Sequence, residues 1–283
     1  MDRWWIDGAE VPAGGSTLPL DDRGLAYGDG LFETIAIRDG ALRWPLEHLQ
    51  RLQTGCNRLA IDFDAYGLQQ DLPAYIDGIN HGVLKIIVTR GSGPRGYSPL
   101  EAGPARCIAG VAATEPAGQD KVANGVRVQS CITSISLNPS LAGMKTLNRL
   151  EQVLARSEVR DPAVSEGLMF DAEGHLICGT MSNVFLVGGD HLHTPVLTNA
   201  GVQGVMRSVV MRLAEEHGVS VHEREISREE IIEADGAFLT NSLVGLWPVV
   251  ALDKHKLSIP PLTRRFCGYL AEAGVEECAG VEG

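Results

Sequence analysis

The stretch LAGMKTLNRLEQVL, residues 141–154, holds one of the chain's five lysines (Lys85, Lys121, Lys145, Lys254 and Lys256). Lys145 stands at the seam between a Gly-Met loop and an amphipathic run, with Leu141, Met144 and Leu147 close by in sequence. An amine that titrates near ~10.4 is protonated at neutral pH, and neutralising it costs roughly 4.6 kcal/mol. Desolvation, a neighbouring cation or an existing imine lowers that cost, so an amine among apolar residues is a candidate nucleophile. The alternative is a lysine snorkelling from a helix start, which sets a cation at the positive end of the helix dipole. Lys85 lies among strand neighbours, with no adjoining loop to admit a substrate.

A second constellation suits an anion. In AGVQGVMR, Gly201 and Gly204 precede a helical pattern, and backbone N–H groups at such an end bind phosphate. LTNS adds the hydroxyls of Thr240 and Ser242 at a strand end, and HLQRL adds Arg51 one turn beyond His48. Each is also ordinary structure: a helix start, a strand end, a solvated arginine. A reactive lysine together with a phosphate cradle points to pyridoxal phosphate.

Two other motifs do not carry chemistry. GSGPRG has the G-x-G-x-x-G spacing at Gly91, Gly93 and Gly96, straight after the strand-like LKIIVTR. A dinucleotide site needs a helix next, and YSPLEAGPAR, with Pro99, Gly103 and Pro104, cannot start one. The loop is either a flexible flap with Arg95 as its cation or a plain glycine-rich hairpin. His191 and His193 form H-x-H, which sets two imidazoles on one strand face; with no third ligand nearby it reads as a hairpin surface, and no metal site is expected.

The elements that must position these groups are of both kinds. RWWID, GLFETIAI, VLKIIVTR, RCIAGVAA, GVRVQSCIT, SNVFLV and GAFLTN read as strands, and EGLMFDAEGHLICG as a hairpin with Asp171–Gly174 at its tip. Helices are expected from Pro45, with Leu46, Leu49, Leu52, Cys56 and Leu59 on one stripe, and after Lys145, with Leu147, Leu150, Val153 and Leu154 on another. A third buries Val205, Val209, Val210 and Leu213 and stops at Gly218, and Ser227 with Glu230 has capping-box spacing. Thr114–Gly125 lacks periodicity and reads as a linker. The class is mixed α/β (α+β), rich in antiparallel sheet, with a smaller N-terminal domain (1–114), a linker (115–120) and a larger C-terminal domain (121–283).

Composition narrows the partners. At 283 residues with 24 basic and 36 acidic side chains, the net charge is −12, which argues against nucleic acid and acidic membrane. The first residues, MDRWWIDGAEVPAGG, show no signal-peptide pattern, and no apolar run spans a membrane. Six scattered cysteines without CxxC read as reduced thiols, so a cytoplasmic location is expected.

YGDGLFETI, HLQRL, GMKTLNRLEQVL, SNVFLV, GVQGVMR and TNSLVGLWPV occur in the order found in the fold-type IV pyridoxal phosphate enzymes, which the chain resembles from about Trp5 to Pro248. RGSGPRGYSPLEAGPA and NPSLAGMKTLNRLEQVLAR are most similar to the aminodeoxychorismate lyases of that group. The resemblance implies pyridoxal 5'-phosphate held between two domains of a homodimer. Lys145 would be the Schiff-base lysine. Arg51, the helix start at Gly204 with the backbone of Val205 and Met206, and Ser242 would hold the phosphate. Many members carry a carboxylate five residues before the Asn of SNVF, facing the pyridine nitrogen; here that position is Cys178, and Glu173 is the nearest spare carboxylate, at the hairpin tip.

The implied reaction converts 4-amino-4-deoxychorismate to 4-aminobenzoate and pyruvate in folate synthesis. Its dicarboxylate substrate requires cations, with Arg95 the first candidate and Thr34 and Tyr97 its neighbours. Arg149, four residues beyond Lys145, is read as a substrate contact or a structural ion pair. The alternatives are a D-amino-acid or branched-chain aminotransferase on the same scaffold, and a non-catalytic ligand-binding protein.

Overall fold

The computed structural model describes residues 2–12, 15 and 18–281. The chain divides into two compact units, one of residues 1–116 with 144–148, the other of residues 117–143 with 149–283. The first holds β1 (Arg3–Ile6), β2 (Ala9–Glu10), α1 (Arg23–Tyr27), β3 (Gly30–Arg38), β4 (Ala41–Leu42), α2 (Pro45–Leu59), α3 (Leu72–Ile76), β5 (Gly82–Thr89) and β6 (Arg106–Ala113). Among the described residues its strands form a six-stranded antiparallel sheet in the order β2-β1-β6-β5-β3-β4.

The period of two sets the faces of β3. Leu31, Ile35 and Ile37 are buried together with Leu49, Leu52 and Cys56 of α2, whose stripe recurs at helical spacing. Pro45 sits at the first turn, where its missing N–H costs nothing. Between β5 and β6 the glycine-rich stretch forms a loop without a helix. Gly91 has φ +83, and a Cβ there would meet the Pro104 carbonyl oxygen at 2.0 Å, so only glycine fits.

The second unit holds α4 (Asp120–Asn124), β7 (Val126–Ser130), α5 (Leu150–Glu158), β8 (Val164–Phe170), β9 (Leu176–Gly179), β10 (Asn183–Gly188), β11 (His191–Pro195), α6 (Val205–Glu216), β12 (Val221–Arg224), α7 (Arg228–Glu233), β13 (Gly236–Asn241), β14 (Gly245–Leu252), β15 (His255–Lys256) and α8 (Pro261–Glu272). Its sheet runs β12-β11-β10-β13-β14-β7-β8-β9, with β15 beside β14. The pairs β11–β12, β14–β7 and β7–β8 are parallel and the others antiparallel.

Local signals are realised here. β8 and β9 form the expected hairpin, with Gly174 at φ +90 and the Asp171 carboxylate accepting from the Glu173 and His175 amides. The capping box of Ser227 and Glu230 opens α7, and Val205, Val209, Val210 and Leu213 of α6 are buried. The stretch read as a linker contains α4, whose Val122 is fully buried.

Two expectations change. The helix after Lys145 begins only at Leu150, because Thr146 is bridged to Leu31 of β3, so Lys145 does not face a helix start. The apolar stripe of α5 also points outward: Leu150 is 77%, Val153 60% and Leu154 57% exposed, and only Ala155 is buried. An amphipathic pattern fixes which residues share a face but not what covers that face.

Candidate active site

Lys145 is positioned by backbone pairing within the first unit. Thr146 forms an antiparallel bridge with Leu31. The Phe32 amide donates to the Lys145 carbonyl at 3.0 Å, and the Leu147 amide donates to the Gly30 carbonyl at 3.0 Å. The segment is thus an added strand position on β3. The Lys145 ammonium lies 4.3 Å from the centroid of the Phe32 ring, a cation–π distance. Lys85 Nζ is 5.5 Å from the same centroid, and Lys85 stands directly opposite Thr34 in the β3–β5 register. The neighbourhood of Phe32 therefore carries two amines, which suits an anionic ligand.

Just beyond, the Asn148 side chain donates to the Gly28 carbonyl at 3.1 Å. Gly28 has φ +66, and a Cβ there would lie 2.5 Å from Asn148 Oδ1. The glycine of YGDG is required by this close approach.

Arg51 is held by a residue not anticipated. The Glu33 carboxylate, 1% exposed, accepts from Arg51 Nε at 2.8 Å and from its Nη2 at 2.5 Å, and contacts His48 Nδ1 at 2.7 Å. Burial alone would raise the Glu33 pKa; the Arg51 charge and the hydrogen bonds from His48 and Arg51 outweigh it and hold the group at about 2. The cue was present in sequence: Glu33 falls on the inward phase of β3, where a carboxylate needs a buried cation, and His48 and Arg51 are spaced by three on the helix that packs there.

The Gly91–Gly96 loop is tied down at its far end. Buried Arg23 donates to the carbonyls of Gly96 at 2.9 Å, Tyr97 at 3.0 Å and Ser98 at 3.2 Å, and Asp29 holds Arg23 Nε at 2.9 Å. Tyr97 packs edge-on against Tyr27 with ring centroids 5.4 Å apart. Arg95 is exposed.

In the second unit, α6 opens at Gly204 with no side chain capping it, which leaves its first amides available to a ligand. A Cβ on Gly204 would lie 2.0 Å from Asn183 Oδ1. Asn183 also donates to the Val202 carbonyl at 2.9 Å and pairs with Thr240 across β10–β13. The Thr240 hydroxyl is buried with no partner among the described residues, an orphan donor in the anion-binding neighbourhood expected from LTNS. Ser242 follows on a turn in which Asn241 Oδ1 accepts from the amides of Leu243 and Val244. Gly143, two residues before Lys145, bridges Val202: its amide donates to the Gly201 carbonyl at 2.9 Å, and its carbonyl accepts from Gln203 at 3.0 Å.

Cys178 lies in a buried cluster with Cys131, Ile135, Ala155, Met169, Ile177, Leu197 and Ala200. Burial, then the Glu166 charge, push its thiol up to about 12 against the opposing pull of Arg149, so it is neutral at pH 7. Arg149 is half-buried beside it, and burial lowers its pKa against the opposing charge of Glu151. Glu166 is already committed, accepting from the hydroxyls of Thr180 and Ser182 and from the Gly167 and Met181 amides. Glu173 is 73% exposed at the hairpin tip.

The chain belongs to the amino-transferase class IV family, whose model matches residues 30–252. Among its relatives, an aminodeoxychorismate lyase of Vibrio harveyi is 34% identical over 94% of this chain and 99% of its own. The crystal structure of 4-amino-4-deoxychorismate lyase from Pseudomonas aeruginosa superposes with a TM-score of 0.90 at 44% identity, covering 95% of this chain and 98% of that one. A D-alanine aminotransferase of Bacillus licheniformis is 29% identical over 93% of each chain.

The Glu33 carboxylate yields a pH prediction. Its folded pKa lies below the ordinary 4.5, so its stabilising contribution is complete above pH 4.5 and is lost as pH falls toward about 2. Denaturant titrations of the wild type across that window should show a loss on the order of 3 kcal/mol from this group. Glu33→Gln should be less stable at pH 7 and lack this part of the acid limb; an identical acid limb in both proteins would contradict the assignment.

Proposed function

We propose that this chain is a pyridoxal-phosphate-dependent lyase that cleaves 4-amino-4-deoxychorismate to 4-aminobenzoate and pyruvate. The observation that carries the reading is the seat of Lys145. Its backbone is fixed to β3 and its amine lies over Phe32. The likeness to two lyases over nearly the whole chain supports the substrate class.

The residues fit the cofactor. The uncapped start of α6 at Gly204, with the amides of Val205 and Met206, suits its phosphate, and the unpartnered Thr240 hydroxyl and Ser242 add donors. Arg51, oriented by Glu33, adds a cation. When bound, pyridoxal phosphate supplies an aldehyde for amines and a ring that accepts the electron pair left by a departing proton.

Lys145 performs the proton transfers. Lys145 would hold the cofactor through its amine, and with that amine free its Nζ would take the proton from the carbon that bears the substrate amine. The adjacent carbon–oxygen bond breaks, the enolpyruvyl group leaves and the ring becomes aromatic. Lys145 then returns a proton to the methylene carbon of the enolpyruvate, giving pyruvate. Arg95, with Thr34 and Tyr97, is assigned to the substrate carboxylates. A pyridine nitrogen facing neutral Cys178 would be stabilised in its protonated form less than one facing a carboxylate, and the driving force of aromatisation would compensate. An aminotransferase lacks that driving force.

The outward face of α5, with Leu150, Val153 and Leu154, supports a homodimer in which this stripe is covered. Among the described residues no helix is long and apolar enough to cross a membrane, and the six cysteines are buried thiols, which supports a cytoplasmic location.

Lys145→Ala should slow release of 4-aminobenzoate by more than about 10³-fold, measured by product analysis with purified substrate; equal release by both proteins would refute the assignment. An aminotransferase would instead convert its cofactor with D-alanine or a branched-chain amino acid alone. Cys178→Glu should shift the visible absorption of the bound cofactor and change turnover; if both stayed the same, Cys178 would not face the ring nitrogen.

A further inference from the structure

The H-x-H pair of β11 has a third imidazole that its spacing could not reveal. β12 runs parallel to β11 at the sheet edge, and His222 stands directly opposite His193 in the register. The ring centroids of His191, His193 and His222 form a near-equilateral triangle with sides of 4.8, 5.4 and 5.6 Å. A tetrahedral metal bound about 2.1 Å from each of three imidazole nitrogens holds the ring centres about 5.2 Å apart. The backbone thus sets the rings at the spacing a tri-histidine site needs, and rotation of the side chains completes it.

Two further features favour coordination. Gly188 is cross-strand from His191, and a Cβ there would meet His191 Nε2 at 3.2 Å and His193 Nε2 at 3.5 Å. Both Nε2 atoms therefore lie beside a space that glycine leaves open, and the three side chains must turn before one nitrogen of each faces a common point. Asp190 Oδ1 lies 3.5 Å from His191 Nδ1, where a carboxylate favours the tautomer with Nε2 unprotonated. Opposing them, Arg224 Nε donates to His193 Nδ1 at 3.1 Å, which puts the proton on Nε2. Binding at that nitrogen requires this hydrogen bond to be given up, and Arg224 keeps its partners at Glu230 Oε1 and the Glu225 carbonyl.

We propose that His191, His193 and His222 form a surface site for a divalent transition metal of the zinc, nickel or copper type, which clips the edge strand β12 to the β10–β11 hairpin. Imidazole ligands and a partly exposed position suit these ions, and the remaining coordination position is left to water. The site is separate from the residues assigned to the lyase reaction and does not depend on that assignment.

The test is zinc titration of the untagged, cofactor-loaded full chain by calorimetry, alongside His191→Gln, His193→Gln, His222→Gln and the triple variant. One zinc per chain is expected, with affinity reduced at least tenfold in each single variant and saturable binding lost in the triple. Zinc should also raise the melting temperature of the wild type but not that of the triple variant. Turnover without added metal should be equal in all five proteins, which checks their folding. No saturable binding by the wild type, unchanged binding by the triple variant, or a single variant without effect would each overturn the site.

Discussion

The Lys145 amine, proposed as the reactive group, is placed by a short piece of main chain, not by its own side chain. Hydrogen bonds between Phe32 and Lys145 and between Gly30 and Leu147 make residues 145–147 an extra strand position on β3. A flexible lysine is otherwise a poor device for chemistry, because fixing its long side chain costs up to about 2 kcal/mol in rotamer freedom. Anchoring its Cα on a buried strand and laying its ammonium over Phe32 removes much of that freedom before any ligand arrives. The same strand turns Glu33 to its other face, where the carboxylate orients Arg51, so one element disposes two of the cationic groups.

Charge is distributed to suit this arrangement. The chain carries a net charge of −12, so an anionic ligand must be collected by local fields. Lys145 and Lys85 about Phe32, Arg51 beside Glu33 and the uncapped end of α6 are such fields. At Cys178 the pattern is reversed. The thiol offers neither charge nor a strong acceptor, and the buried carboxylate of Glu166 nearby is already engaged by hydroxyl and amide donors. A ring nitrogen facing Cys178 would lack the partner that makes the cofactor a strong electron sink, which suits a reaction with an aromatic product.

Much of this was legible in the sequence wherever the signal was local. The α6 start at Gly204, the Ser227 capping box and the hairpin around Gly174 each depend on a few adjacent residues, and each appears where its pattern placed it. Lys145 stood out because lysines are few and its neighbours are apolar. What escaped depends on distant pairing. Nothing near Lys145 announces that its backbone joins β3, so the helix was drawn too early. The stripe Leu150–Val153–Leu154 was correctly grouped, but period cannot say whether a face meets this chain or another. Glu33 was readable in principle, since its inward phase demanded a partner, yet choosing Arg51 required knowing that α2 packs on β3.

The central claim is that Lys145 carries the covalent link to the cofactor. Borohydride reduction of the loaded protein, followed by proteolysis and mass mapping, tests it directly, because Lys85 approaches the same Phe32 ring and is the natural competitor. The account predicts a single phosphopyridoxyl group on the peptide containing Lys145. Attachment at Lys85, or no attachment in a protein that stays folded, would contradict it.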